Sequence, residues 1–190
     1  MISPHSFPVH HGPNNYFLAV RPDFEAAFQT ARQAAVLRKQ HSLRTRSLSA
    51  NLFHVTLHAL GHFTEPPLKT LTMVCAVMRT LVAQPFDVEF DRIMSFSSRN
   101  PKQPLVMLGG AGVVALTNFQ RRIGRALWDN GLRECVNRNF TPHMTLLYGD
   151  KSIPEHFVNP IRWTVNECVL VRSLVGQSQH LIVERWVLQR

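Results

Sequence analysis

The stretch Asn51-Leu52-Phe53-His54-Val55-Thr56-Leu57 contains the pattern His, apolar, Thr, Leu, and Pro142-His143-Met144-Thr145-Leu146 contains it again. The residues around both motifs predict β-strands. Because side chains on a strand alternate between its two faces, each motif places its histidine and threonine on one face and its two apolar residues on the other. If two similar halves pack about an approximate twofold axis, the polar pairs meet in one cleft and the apolar pairs join a core.

Two imidazoles and two hydroxyls in one cleft suit attack at phosphorus. That reaction needs two groups that exchange protons near neutral pH, and the unperturbed pKa of histidine, about 6.5, lies there. Threonine hydroxyls donate hydrogen bonds to the non-bridging phosphate oxygens. We therefore predict His54 and His143 as general acid and base and Thr56 and Thr145 as phosphate contacts, with no metal and no cofactor. In a chain with 10 histidines, structural histidines are the competing interpretation.

Hydrophobic periodicity along the rest of the chain alternates between strand and helix. It predicts strands at 16–20, 52–63, 86–96, 104–108, 140–148, 161–173 and 180–188, and helices at 24–37, 66–83 and 113–130. Residues 1–14 form a predicted flexible arm, 38–50 a basic loop and 99–101 a turn, and Pro160 marks a break. Because the late strands lack intervening helices, the pattern predicts an α+β fold with largely antiparallel pairing, in one domain over residues 15–190.

The composition is that of a soluble globular protein with an excess of positive charge. Lys and Arg total 21 against 12 Asp and Glu, a net charge of +9 that favours polyanionic partners, although solubility alone would explain it. The three cysteines are far apart, which argues against disulfides and a zinc knuckle. The N-terminus lacks an apolar segment, so we expect a cytoplasmic protein with no membrane contact. A chain of 190 residues can bury a core by itself, and we expect a monomer.

Three other patterns have ordinary structural interpretations. His54, His58 and His62 recur at four-residue intervals, but the metalloprotease pattern requires Glu directly after the first histidine, so we expect His58 and His62 at the surface or the cleft rim. Gly109-Gly110-Ala111-Gly112 lacks the Lys-Ser/Thr of a P-loop and predicts a tight strand-to-helix turn. The arginines of the third helix, Arg121, Arg122 and Arg125, are predicted on a solvated face, with contact to RNA as the alternative.

The residues from Asn51 to Gly61 resemble the first signature of the 2H phosphoesterase superfamily. Those from Arg138 to Leu147 resemble the second signature in its branch of RNA 2′,3′-cyclic phosphodiesterases, also called 2′-5′ RNA ligases, and the order of elements matches over residues 14–190. This resemblance implies a bilobal, pseudo-twofold α+β fold around a central cleft. It also implies hydrolysis of 2′,3′-cyclic phosphates of RNA or small nucleotides to 2′-phosphates, with reversible 2′-5′ ligation in some members.

In family terms, His54 would protonate the leaving 3′ oxygen and His143 would activate water. Close relatives often carry an aromatic residue where Ala59 stands and an arginine where Tyr148 stands, in positions that help hold substrate. Tyr148 and Arg138 are therefore predicted substrate contacts, although simple alternation points Tyr148 away from His143 unless a bulge intervenes. The alternative function is a non-catalytic RNA- or nucleotide-binding protein that retains the cleft.

Overall fold

The computed structural model describes residues 13–98 and 101–189. Residues 1–12 of the predicted arm, and Arg99 and Asn100 of the predicted turn, lie outside this range. The helices and strands follow one another as β1 (Asn14–Val20), α1 (Phe24–Gln40), β2 (Val55–Phe63), α2 (Leu68–Thr80), β3 (Phe86–Ser95), β4 (Gln103–Leu108), α3 (Val114–Asp129), β5 (His143–Gly149), β6 (His156–Val165), β7 (Glu167–Leu174) and β8 (Gln179–Val187). None of the helices in the described ranges is long and apolar enough to cross a bilayer.

The strands form two four-stranded sheets with antiparallel neighbours, in the orders β2-β1-β7-β8 and β5-β4-β3-β6. The predicted α+β fold with largely antiparallel pairing is therefore confirmed. Each motif strand lies at one edge of its sheet, β2 in the first and β5 in the second. The two sheets thus present their motif strands in equivalent positions, as expected for two similar halves.

One large hydrophobic cluster draws on both sheets and all three helices. Helix α1 packs against β5 and β6, α3 against β2 and β3, and α2 against α3 and β8. A smaller cluster on the other face of the first sheet contains Phe17, Ala19, Val169 and Val171. The first sheet therefore has a face that covers the main core and an opposite face that is left for the cleft.

Local sequence signals explain where α1 begins and ends. The Asp23 carboxylate accepts a hydrogen bond of 2.8 Å from the Ala26 N–H and caps the N-terminus. The helix continues three residues beyond the predicted end at Leu37 because Arg38 and Lys39 lie in its last turn, where positive charge favours the helix C-terminus. The remaining part of the basic loop is tied to the second sheet, since the Leu48 N–H donates to the Leu146 carbonyl.

Two further predictions along the chain are wrong. Asn14, assigned to the flexible arm, is buried in β1, where it pairs with Phe63 and Leu174 on the neighbouring strands. The single strand predicted at 161–173 is two strands, β6 and β7, which belong to different sheets and are separated by Asn166. Pro160 does not break β6, because β6 is an edge strand and the proline lies where its register with β3 shifts.

The turn before α3 is tight, as the glycines predict. A Cβ atom on Gly109 would lie 2.3 Å from the Glu89 carbonyl oxygen, a distance that no side chain tolerates. Gly112 is similarly constrained, since its Cβ would lie 2.5 Å from that of Glu89. The glycines therefore allow the chain to pass close to β3 before the helix begins.

Equivalent irregularities interrupt both motif strands. The pairing of β1 with β2 shifts by one residue at Leu57, and the pairing of β4 with β5 shifts by one residue at Leu146. Each extra residue directly follows the threonine of its motif. Beyond it, simple alternation reverses, so the next residue points into the core and the one after that points to the cleft side.

Candidate functional site

Both motif histidines are held in the same way. His54 directly precedes β2, and His143 is the first residue of β5. In each ring Nδ1 lies 2.7 Å from the carbonyl oxygen two residues earlier, that of Leu52 for His54 and that of Thr141 for His143. A carbonyl only accepts hydrogen bonds, so Nδ1 carries the proton in both rings. Nε2 is therefore the atom of each imidazole that is left to exchange protons with a ligand.

A cleft of about 480 Å³ is lined by both histidines and both threonines of the motifs, namely His54, Thr56, His143 and Thr145. The structure thus brings together all four residues that the repeated motif selects. Its lining comes from both sheets, because β2 supplies one pair and β5 the other. A phosphate in this space has two hydroxyl donors and two imidazoles around it, the set required for acid–base chemistry at phosphorus.

His54 lies in an environment that disfavours its charged form. The pKa of His54 is lowered from 6.5 to about 4, mainly by burial. The hydrogen bond to Leu52 opposes this effect, and the neighbouring His180, His143 and Arg21 add to it. At neutral pH the unliganded imidazole is therefore uncharged, with a lone pair on Nε2. A negatively charged ligand beside it would favour proton uptake.

Aromatic rings orient both histidines. The ring of Phe17 stacks on that of His54, with 4.9 Å between centroids and an angle of 24° between planes. The ring of Phe96 lies 4.9 Å from that of His143 at an angle of 60°. Neither phenylalanine was predicted, because nothing in the local sequence pattern indicates which aromatic residue packs against a given histidine.

Tyr148 reaches the cleft because of the bulge at Leu146. Leu146 and Leu147 are both buried in the core, and Tyr148 follows on the cleft side with 47% of its surface exposed. The equivalent residue after the bulge of β2 is Ala59, which is exposed and pairs with Phe17 on the cleft face. Of the two positions that the resemblance predicts as substrate contacts, one is therefore aromatic and the other carries only a methyl group.

A row of polar residues crosses the first sheet on the cleft side. Asn15 pairs with Ser173, Ser173 pairs with His180, and all three line the cleft. The His180 ring lies 5.0 Å from that of His54, edge to face. Burial, with a smaller contribution from Arg21, lowers the pKa of His180. No local pattern indicates this third imidazole, because only the pairing of β7 with β8 carries it to the cleft.

Arg138, predicted as a substrate contact, does not line this cleft. Its guanidinium lies 4.3 Å from the centre of the Trp128 ring and lines a separate hollow beside α3. The side chain is kept from the cleft because the segment before β5 runs against α3. The basic loop does border the cleft, through Leu48, and the side chains of Arg44 and Arg46 are exposed.

His58 is inside the protein, so its predicted position at the surface or the cleft rim is wrong. Its Nδ1 accepts a 3.0 Å hydrogen bond from the Asn137 N–H, and its Nε2 donates one of 3.0 Å to the Gln120 carbonyl. Burial lowers the pKa of His58, although the hydrogen bond to Gln120 opposes this effect. His62 is exposed, as expected. The shift at Leu57 turns His58 into the core, and no described His, Cys, Asp and Glu side chains group as metal ligands.

The chain is similar to a known protein family over most of its length. A family model described as the 2′-5′ RNA ligase superfamily matches residues 20–177. No curated protein matches the chain. The family match therefore covers both motifs and strands of both sheets.

Solved structures with the same fold extend over nearly the whole chain. TT0787 of Thermus thermophilus superposes with a TM-score of 0.73 at 19% identity, covering 92% of this chain and 97% of that one. The apo form of E. coli LigT gives 0.68 at 20% identity, with 94% and 99% covered. LigT complexed with 3′-AMP gives 0.64 at 21% identity, with the same coverage of 94% and 99%. At these identities the likeness shows a common fold.

Proposed function

The chain belongs to the 2′-5′ RNA ligase superfamily of 2H phosphoesterases, and on that premise we propose that it hydrolyses 2′,3′-cyclic phosphates of RNA ends or nucleotides to 2′-phosphates. The observation that carries the proposal is the pairing of His54 and His143 in one cleft, each with Nδ1 anchored to a backbone carbonyl and each beside a threonine. Such anchoring fixes the tautomer and orientation of an imidazole, which acid–base catalysis requires.

Hydrolysis then proceeds by one in-line displacement. A water oxygen attacks phosphorus while Nε2 of His143 accepts its proton, and the bond from phosphorus to the 3′ oxygen breaks as Nε2 of His54 donates a proton to that oxygen. The products are a 2′-phosphate and a free 3′ hydroxyl, with one water consumed. Thr56 and Thr145 donate hydrogen bonds to the non-bridging oxygens, whose charge increases in the transition state. The same displacement with a 5′ hydroxyl in place of water would join a 2′-5′ linkage.

Binding of the substrate changes the protonation state of His54. The unliganded imidazole is neutral because of burial and its neighbours. A cyclic phosphate carries one negative charge, and an anion within a few ångströms favours the imidazolium form. Binding therefore protonates His54 and prepares it as the general acid, and substrate binding should take up a proton between about pH 5 and 7.

The other residues that line the cleft favour a nucleotide as the ligand. Tyr148 offers an aromatic face to a base, and the polar row of Asn15, Ser173 and His180 offers hydrogen-bonding groups to a sugar or base. LigT, which shares the fold, forms complexes with 3′-AMP, ATP and NADP+. The net charge of +9 favours an RNA end among such anions. A cytoplasmic location and a monomeric state stay predictions.

The test is incubation with 2′,3′-cyclic AMP and with RNA bearing a 2′,3′-cyclic end, in the presence of a metal chelator. Wild type should form the 2′-phosphate, identified by chromatography against 2′- and 3′-phosphate standards, and His54→Ala and His143→Ala should lose this activity. A matched control is His62→Ala, which removes an exposed imidazole outside the cleft lining. Binding without turnover by the wild type would instead indicate the non-catalytic function.

A further inference from the structure

A second hollow, here called the Trp128 hollow, lies between α3 and residues 136–140 and measures about 520 Å³. Its lining includes Trp128, Arg121, Arg138 and Phe140. The guanidinium of Arg133 lies nearby, 4.8 Å from the Trp128 ring centre, and that of Arg138 lies at 4.3 Å. The hollow therefore combines an indole with at least three cationic side chains and is as large as the cleft that holds the two motif histidines.

Three of the four arginines at this hollow are not neutralised by the protein. Within the described residues, the side chains of Arg121, Arg133 and Arg138 form no ion pair and no hydrogen bond. The fourth, Arg125, lines the hollow and pairs with Asp129. Other acidic side chains are used elsewhere, in the pairs Arg79–Glu184, Arg92–Glu155, Arg162–Glu89 and Arg185–Glu167. Part of the excess charge of the chain is thus concentrated around Trp128, where it would attract an anion.

The hollow is joined to the cleft by a short, fixed segment. Phe140 lines the hollow, and three residues later His143 enters the cleft, a span of at most about 11 Å along the chain. Asn137 fixes this segment, because its N–H donates to His58 and its carbonyl accepts a 2.8 Å hydrogen bond from the Gln120 side chain. A nucleic-acid strand whose end lies in the cleft therefore has only a short distance to span before it reaches the arginines.

We propose that the Trp128 hollow binds the body of a single-stranded RNA whose 3′ end occupies the cleft. This inference rests on the proposed function only for the direction of the strand. Arginines bind phosphates through several N–H donors, and bases stack on tryptophan and on guanidinium planes. The contacts with Trp128 hold two guanidinium groups in place, which reduces the entropy lost on binding. An acidic peptide would supply the charge but no bases to stack.

The experiment measures binding of a labelled single-stranded RNA with an ordinary 3′ hydroxyl, by fluorescence anisotropy over a series of salt concentrations. Because this RNA has no cyclic end, the readout does not depend on catalysis. The variants are Arg121→Ala, Arg138→Ala and Trp128→Ala. The control is Arg32→Ala, which also removes an exposed arginine beside an aromatic ring, at 6.0 Å from that of Phe28 on α1.

Each arginine that contacts a phosphate contributes about 0.7 to the slope of log K against log salt. Arg121→Ala and Arg138→Ala should therefore lower that slope by about 0.7 each, while Arg32→Ala leaves it unchanged. Trp128→Ala should weaken RNA binding roughly 5- to 100-fold, the effect of one lost stacking contact. It should weaken binding of inorganic polyphosphate less, because polyphosphate loses only the placement of the two guanidinium groups. The two arginine variants keep the test interpretable if the tryptophan variant does not fold.

Arginine variants that bind RNA with the affinity and salt dependence of Arg32→Ala would overturn the proposal. Equal effects of Trp128→Ala on RNA and on polyphosphate would overturn the stacking contact. Hydrolysis of 2′,3′-cyclic AMP by the wild type is measured in parallel. If the wild type turns over the mononucleotide and the arginine variants bind RNA normally, RNA binding in the Trp128 hollow is refuted and the proposed function is retained. If the wild type turns over nothing and the arginine variants lose RNA binding, the proposed function is refuted and RNA binding in the hollow is retained.

Discussion

Replacing His54 by asparagine tests the electrostatics of the cleft through the stability of the protein. The Asn side-chain amide can replace Nδ1 as donor to the Leu52 carbonyl but does not titrate. In the wild type, the folded protein binds a proton at His54 only below about pH 4, because burial lowers its pKa from 6.5. The unfolded chain binds that proton below pH 6.5. The free energy of unfolding should therefore be undiminished above about pH 6.5 and fall as the pH is lowered to about 4.

The size of this effect follows from the two pKa values. The pKa falls from 6.5 to about 4, and each pH unit corresponds to about 1.4 kcal/mol, so the full loss of stability is about 3 kcal/mol once both states are protonated. At about pH 5 the linkage relation gives a loss of about 2 kcal/mol relative to about pH 7.5. Burial also lowers the pKa values of His58 and His180. Both residues are present in wild type and variant, so their contribution largely cancels in the comparison.

The assay is urea unfolding of wild type and His54→Asn at about pH 7.5 and about pH 5, followed by circular dichroism. Between these conditions the wild type should lose about 2 kcal/mol more than the variant. The variant can be more or less stable than wild type at the higher pH without affecting this difference. Equal losses in the two proteins would refute the claim that His54 is held neutral in the folded state.

Substitutions at three further residues address the core, the phosphate contacts and the cleft wall that would contact substrate. His58→Ala should lower the free energy of unfolding by roughly 2–5 kcal/mol, because it leaves a cavity and removes the partners of the Asn137 N–H and the Gln120 carbonyl. A loss below about 1 kcal/mol in urea titrations would contradict this expectation. Thr145→Val should reduce kcat up to about 10²–10³-fold without loss of the fold, and an unchanged kcat would remove the hydroxyl from the mechanism. Tyr148→Ala should raise KM roughly 5- to 100-fold while Tyr148→Phe does not; equal KM values for both variants would exclude stacking.

The sequence predicted the fold class and the four motif residues because the relevant information is local. A histidine and a threonine two positions apart on a strand share a face whatever the remaining fold is, and the repeat of that pattern indicates two equivalent strands. The core face is equally local, since Val55, Leu57, Met144 and Leu146 are all buried.

Residues beyond each threonine could not be placed, because a bulge depends on the partner strand. The shifts at Leu57 and Leu146 are properties of pairing with β1 and β4, and they reverse the alternation for the residues that directly follow. His58 is therefore buried where alternation points it to the cleft, and Tyr148 reaches the cleft where alternation points it away.

Long-range placement accounts for the other differences. The boundary between β6 and β7 at Asn166 has no glycine or proline, because the chain passes directly from one sheet to the other. His180 lines the cleft and Arg138 lines the Trp128 hollow only through packing with distant segments. No local pattern encodes either position.

The central claim, that His54 and His143 act as a pair on one phosphate, is tested most directly by kcat for 2′,3′-cyclic AMP in His54→Ala, His143→Ala and the double variant. Each single substitution should lower kcat by about 10²–10⁴-fold. The double variant should be little worse than the worse single variant, because residues that act as a unit are strongly non-additive. Losses that multiply in the double variant, or a single variant with the wild-type kcat, would contradict the account.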